Sequence, residues 1–261
     1  MNPSSCYRLA AWLFILCLLS PVHAWSRPFR ICLEDWPPHA FVAGTSVTGP
    51  SVDIYREALA NLGIHTVEFL PISYNRCSEE VRLGTMDMKL FVLANELPDL
   101  PTTREPTEYW LLAAIVHRDA PWQRFTGLET FRSSLVGTVE GYVYPEALAR
   151  FIAPRARMTF SPVQAYRQLE NRRVDVVFLD LVDFETRNRA LGLPLRALRP
   201  LVDAQPLYAA LARPHAALAP RLSRVLRAMR RSGRFDTLYR QHTGQGFGEW
   251  RQQAELPEGS R

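Results

Sequence analysis

Lysine is almost missing from this 261-residue chain: among 31 basic residues, Lys89 is the only one. The others are arginines interleaved with Asp and Glu along helical stretches, which is the pattern of solvated helix faces. No basic tail or aromatic-basic stripe accompanies them, so nucleic acid is excluded as a partner and the skew is attributed to GC-rich coding DNA. Cysteine is scarce, with four in all. No clustered Cys/His spacing and no His-Glu-x-x-His helix offers a zinc site, and no Gly-x-Ser-x-Gly elbow offers a nucleophile. Neither cofactor nor metal is expected. Beyond the first 24 residues no long apolar run occurs that would read as a membrane-spanning helix.

The N-terminus is the exception. Arg8 precedes an apolar core from Leu9 to Leu19, Ser20-Pro21 breaks it, and Val22-His23-Ala24 leads to Trp25. This reads as a signal peptide over residues 1–24, cleaved on export, with a retained anchor as the alternative. Removal leaves Cys32 and Cys77 in the mature chain. An even pair in an oxidising compartment is a disulfide candidate; two buried thiols are the other possibility.

What is present is a message written twice. Ser78 to Val92 (SEEVRLGTMDMKLFV) and Tyr166 to Asp180 (YRQLENRRVDVVFLD) share one order: amphipathic helix, tight turn, apolar residue, Asp, apolar strand. The spacing from Val81 to Asp87 repeats from Leu169 to Asp175. A helix feeding a continuously apolar strand marks a parallel α/β unit. Two such units predict two lobes with a cleft between them.

Along the chain, strands are expected at Arg30–Glu34, His65–Leu70, Met88–Leu93, Tyr109–His117, Ser134–Val139 and Leu207–Ala212. Helices alternate with them: one from Ser51, taken as its cap, to a stop at Gly63, then Asn75–Leu83, Pro145–Phe151 and Arg221–Arg231. Ser161-Pro162-Val163-Gln164 reads as a capping box. The fold class is α/β with two lobes, each a mainly parallel sheet flanked by helices, and a double hinge near Leu112–Arg118 and Pro206–Arg213. Lobe 1 is expected over 25–117 and 207–250, lobe 2 over 118–206. The chain past Gly244 is expected to fray, with a flexible tail at 251–261.

Several motifs in order resemble the bacterial extracellular solute-binding proteins of family 3, the substrate-binding components of ABC importers. They are Trp36-Pro37-Pro38, Gly49 with Asp53, Arg76-Cys77, Gly84-Thr85-Met86-Asp87 and Thr107-Glu108-Tyr109-Trp110. The second lobe adds Val136 to Gly141 and Val174-Asp175 through Asp180. The resemblance covers most of the mature chain. It implies the type II periplasmic binding protein fold, a periplasmic monomer, a small polar solute, and a membrane permease or another membrane receptor as partner. Arg76-Cys77 together with Cys32 is similar to one branch of that family and supports the disulfide.

The resemblance also implies a ligand set. Trp36 matches the aromatic wall, and Asp180 matches the acid that takes an ammonium. Asp180 ends an apolar strand, where the carboxyl edge of a parallel sheet faces a cleft; it also stands where an N-cap for the next helix is favoured. Both roles stay open. Asp87 and Asp175 read as structural. The usual carboxylate-binding Arg falls within Leu97–Leu100, which holds no base. Arg104, a few residues on, is the remaining candidate. Val92 and Ala94 stand where hydroxyl residues are common, and Tyr142 follows Gly141 as a second aromatic wall. A standard L-amino acid therefore fits poorly. A dehydratase-like enzyme using Glu140, His39 or Asp180 as general acid is the minority alternative, and a sensory or accessory binding protein is the third.

Overall fold

The computed structural model describes residues 27–254, so the expected signal peptide and residues 255–261 of the expected tail lie outside the described residues. The chain begins with β1 (Phe29–Leu33), a short hairpin of β2 (Phe41–Ala43) and β3 (Ser46–Thr48), and α1 (Pro50–Ala60). β4 (Val67–Pro71), α2 (Tyr74–Leu83), β5 (Met88–Leu93) and the long β6 (Glu108–His117) follow. Then come β7 (Val136–Val139), α3 (Glu146–Ile152), β8 (Ala156–Thr159), α4 (Pro162–Glu170), β9 (Val176–Asp180) and α5 (Leu181–Leu191). β10 (Leu195–Ala197), β11 (Asp203–Leu211), α6 (Leu218–Arg231), α7 (Arg234–Thr243) and α8 (Phe247–Ala254) complete it.

The strands run β4-β1-β5-β11-β6-β9-β7-β8, with β10 added to β6. β4, β1 and β5 are parallel, and so are β9, β7 and β8. Between these two halves β6 and β11 lie antiparallel, pairing Glu108–Leu112 with Asp203–Leu207. Beyond that stretch β6 joins β9 while β11 joins β5. Two strands thus carry the chain across from one half to the other, where the sequence placed its double hinge. The crossing is centred a few residues earlier on both strands than expected.

The repeated message folds to the same device in each half. The Asp87 amide donates to the Arg30 carbonyl at 2.9 Å, and the Arg30 amide returns a bond to the Asp87 carboxylate at 2.8 Å. Asp175 and Leu135 exchange the same two bonds at 2.9 and 2.7 Å. Each Asp clips the start of one parallel strand to the start of its neighbour. The tight turns also match: Gly84 has φ 77° and Arg172, at the equivalent place, φ 55°. Asp87 additionally receives Arg27 and His215. Burial opposes its ionisation, but these donors hold its carboxyl down to about 2.

Cys32 of β1 and Cys77 of α2 are joined in a disulfide, with Cα atoms 5.7 Å apart. Other expectations are corrected. Gly49, not Ser51, precedes the first turn of α1, and Ser51 is buried behind it. Ser161 caps α4, accepting from the Gln164 amide at 3.3 Å, while Gln164 reaches back to the Phe160 amide rather than to Ser161. Where fraying was expected past Gly244, residues 247–254 form α8, which buries Phe247 and Trp250 beside Phe235, Tyr239 and His39. No helix among the described residues is long and apolar enough to cross a membrane.

Candidate ligand cleft

The carboxyl ends of β1, β5, β7 and β9 converge on one cavity, whose empty space of about 490 Å³ includes open solvent at its mouth. From the first half it takes Glu34 and Trp36 after β1, Tyr74 at the start of α2, and Phe91 on β5. From the second it takes Tyr142 and Val143 after β7, Leu179 and Asp180 closing β9, and Asp183 in the first turn of α5. Trp110 and Leu207 come from the two crossing strands. A wider groove continues outward past Arg76, Glu140, Phe160 and Arg187.

The walls are aromatic. Trp36 packs edge-on to Phe91 with ring centroids 4.9 Å apart. Tyr142 meets Trp110 at 6.2 Å and, across the cleft, Tyr74 at 6.5 Å. Phe91 has φ 63°, beside a register shift in the pairing of β5 with β11. A left-handed Phe inside a strand is strained, and the strain turns its backbone at the cavity wall.

Asp180 is brought to the cavity, but its carboxylate is occupied. Oδ1 accepts from the Val182 and Asp183 amides at 2.9 and 2.8 Å, and Oδ2 accepts from the Leu111 amide at 2.9 Å. Those bonds cap α5 and anchor β9 to β6. Burial pushes its carboxyl up to about 7, against the pull of these amides. Asp183 is also paired: Tyr166 donates to one oxygen at 3.0 Å and Arg187 to the other at 2.6 Å. Arg187 reaches on to Asp35 on the opposite side of the cleft, 3.0 Å from its carboxylate.

Trp36 and Tyr142 line the cavity as the sequence suggested. Arg104 does not. Its loop is pinned along β11 and α6 by Thr103 bonding Ala209 and by the Arg104 amide donating to Ser223 at 3.0 Å, which leaves its side chain exposed on the far side. His39 is buried behind Trp36 with Nδ1 3.1 Å from the Tyr239 hydroxyl, and burial pushes it down to about 3, which keeps it neutral. Glu140 is exposed in the outer groove.

The side chain missed from the sequence is Glu34. It is half-buried in the cavity wall and accepts no hydrogen bond among the described residues. Burial pushes its carboxyl up to about 7. The signal was available: Glu34 directly follows β1 at its carboxyl end, where Asp180 closes β9. Lys89, also unassigned, is buried under the cavity with Nζ 3.2 Å from the Tyr74 ring centroid, 2.7 Å from Ser78 Oγ and 3.5 Å from Glu96. Burial lowers it to about 8, with Glu96 and Glu34 opposing. No group of three or more His, Cys, Asp or Glu among the described residues is placed to hold a metal ion.

No family model matches the sequence, and no curated protein matches it. Solved structures do. A histidine kinase sensor domain with similarity to periplasmic binding proteins aligns over 84% of this chain and 97% of its own, at 23% identity and a TM-score of 0.75. This chain has the periplasmic binding protein fold. The arginine-, lysine-, histidine-binding protein ArtJ from Geobacillus stearothermophilus aligns over 84% and 96%, at 15% identity and a TM-score of 0.72. An ancestral arginine-binding protein bound to glutamine gives 84% and 98%, at 18% identity and 0.70. In this two-lobed fold the parallel halves are the lobes, β6 and β11 are the double hinge, and the aromatic cavity lies between the lobes.

Proposed function

We propose that the protein binds a small polar solute between its lobes and signals the bound state by closing. One observation carries the reading: the cavity is built from both halves, so a ligand filling it touches Trp36 and Phe91 on one side and Tyr142 and Leu179 on the other. Contacts that exist only when the lobes meet are what lets a ligand bias closure. Lobe 1 spans about residues 25–117 and 207–250, and lobe 2 residues 118–206. The protein acts in the periplasm after cleavage of residues 1–24. As fits its likeness to a solved substrate binding protein of an amino acid ABC transporter, the closed form delivers its solute to an ABC permease, and no chemistry is performed on it.

The likeness to a histidine kinase sensor domain favours a second reading, in which the closed form docks on a membrane receptor instead. The two share the binding step and differ in the partner. The mature protein is screened by thermal shift against amines, amino acids, organic acids and small sugars, and each solution is assayed afterwards for conversion. A saturable rise in melting temperature with unchanged solute is expected. Product in the solution would replace binding with the dehydratase-like reading; no shift with any solute would end the solute-binding reading.

A further inference from the structure

We infer that the solute is a small organic amine or quaternary ammonium without a carboxylate, held by Glu34 within a box formed by Trp36, Tyr74, Phe91, Trp110 and Tyr142. The inference rests on the solute-binding reading and assigns its ligand class. Three observations carry it. Glu34 is the cavity's one carboxylate whose oxygens accept no bond among the described residues, since Asp180 holds three backbone amides and Asp183 holds Tyr166 and Arg187. A half-buried carboxylate without donors is costly unless a cation or donor meets it. Five aromatic rings line the same cavity as Glu34, and aromatic cages attract ammonium groups and suit quaternary nitrogen.

The third observation concerns what a carboxylate would meet. Arg104 is exposed and does not line the cavity, Arg187 is committed to Asp183 and Asp35, and Lys89 is tied to Glu96 and Ser78 beneath Tyr74. None of them offers the forked donor that a ligand carboxylate needs. The charged groups facing Glu34 are Lys89 and Arg187, which favour its ionisation, and Asp183 and Glu96, which oppose it. An arriving ammonium adds the missing positive charge.

The test uses four probes on the mature protein, read by thermal shift and calorimetry. Isoamylamine carries the amine alone, leucine adds a carboxylate, 4-methylpentanoate keeps only the carboxylate, and choline is a quaternary ammonium. Isoamylamine and choline are expected to bind, with leucine and 4-methylpentanoate at least tenfold weaker. Glu34→Gln, folded by its own melting curve, should weaken the amines by about ten- to a hundredfold. Tyr142→Leu, on a loop at the rim, supplies a second variant and should weaken choline by about two- to thirtyfold. Binding of leucine or 4-methylpentanoate in preference to isoamylamine overturns the assignment while solute binding stands. So does binding of some other solute with none of these four, or amine binding indifferent to both substitutions. If no solute of any class binds, the solute-binding reading itself falls.

Discussion

At the scale of single residues, Asp180 shows how an acid on a cavity wall can serve the fold before it serves a ligand. Its two oxygens accept three buried amides, so Asp180→Ala leaves those donors without partners. Loss of a buried acceptor together with a helix cap is expected to cost about 2–4 kcal/mol in a urea titration. Asp180→Asn, which keeps one acceptor, should recover part of this. The pH dependence follows from burial raising this carboxyl from 3.8 to about 7. Between those values the unfolded chain has released its proton while the folded chain keeps it, so this group's contribution to stability falls as pH rises. Below the window and above it the contribution is constant. Asp180→Asn removes that slope, at most about 1.4 kcal/mol per pH unit. The sequence placed Asp180 at the cavity and left cap and ligand roles open, because which donors reach a carboxylate depends on β6, a strand far away in the chain. Glu34 went unassigned for the converse reason: its lack of donors is a property of the assembled cleft.

At the scale of elements, the twice-written message was legible because helix, turn, Asp and strand follow one another locally. The two Asp clips then formed as the spacing required, one to Arg30 and one to Leu135. α8 was not legible. Its large apolar residues are only Phe247 and Trp250, set among Gly, Glu, Arg, Gln and a final Ala254, so no sustained helical stripe announces it. Its stability comes from the hollow it closes, where Phe247 meets Tyr109, Phe235 and Tyr239, and Trp250 meets His39. Trp250→Ala is therefore expected to lower unfolding free energy by about 3 kcal/mol, measured by the urea midpoint. A loss under about 0.5 kcal/mol, the range of surface substitutions, would mean that α8 contributes nothing to lobe 1.

At the scale of the whole molecule, the lobes meet above the cavity through few contacts. Arg187 crosses to Asp35, Tyr142 faces Tyr74, and Gly141 lies so close to Asn75 that a Cβ added to the glycine would stand 3.0 Å from the Asn75 side chain. If closure is the signal, this meeting is where bulk should block it. Asn75 is exposed in the first turn of α2 and makes no side-chain hydrogen bond among the described residues, so Asn75→Trp can enlarge the contact without disturbing either core. The variant is expected to keep its unfolding free energy within about 0.5 kcal/mol of the parent. The indole should hold the lobes apart, giving a larger radius of gyration in small-angle X-ray scattering and a weaker affinity for whichever solute stabilises the parent. Closing against a wedge subtracts the same free energy from binding that it adds to the closed state. A scattering curve and an affinity both unchanged would show that the lobes do not approach through Asn75 and Gly141, and closure would then need another contact surface. A radius that grows while affinity holds would separate binding from closure, leaving the ligand seated on one lobe alone.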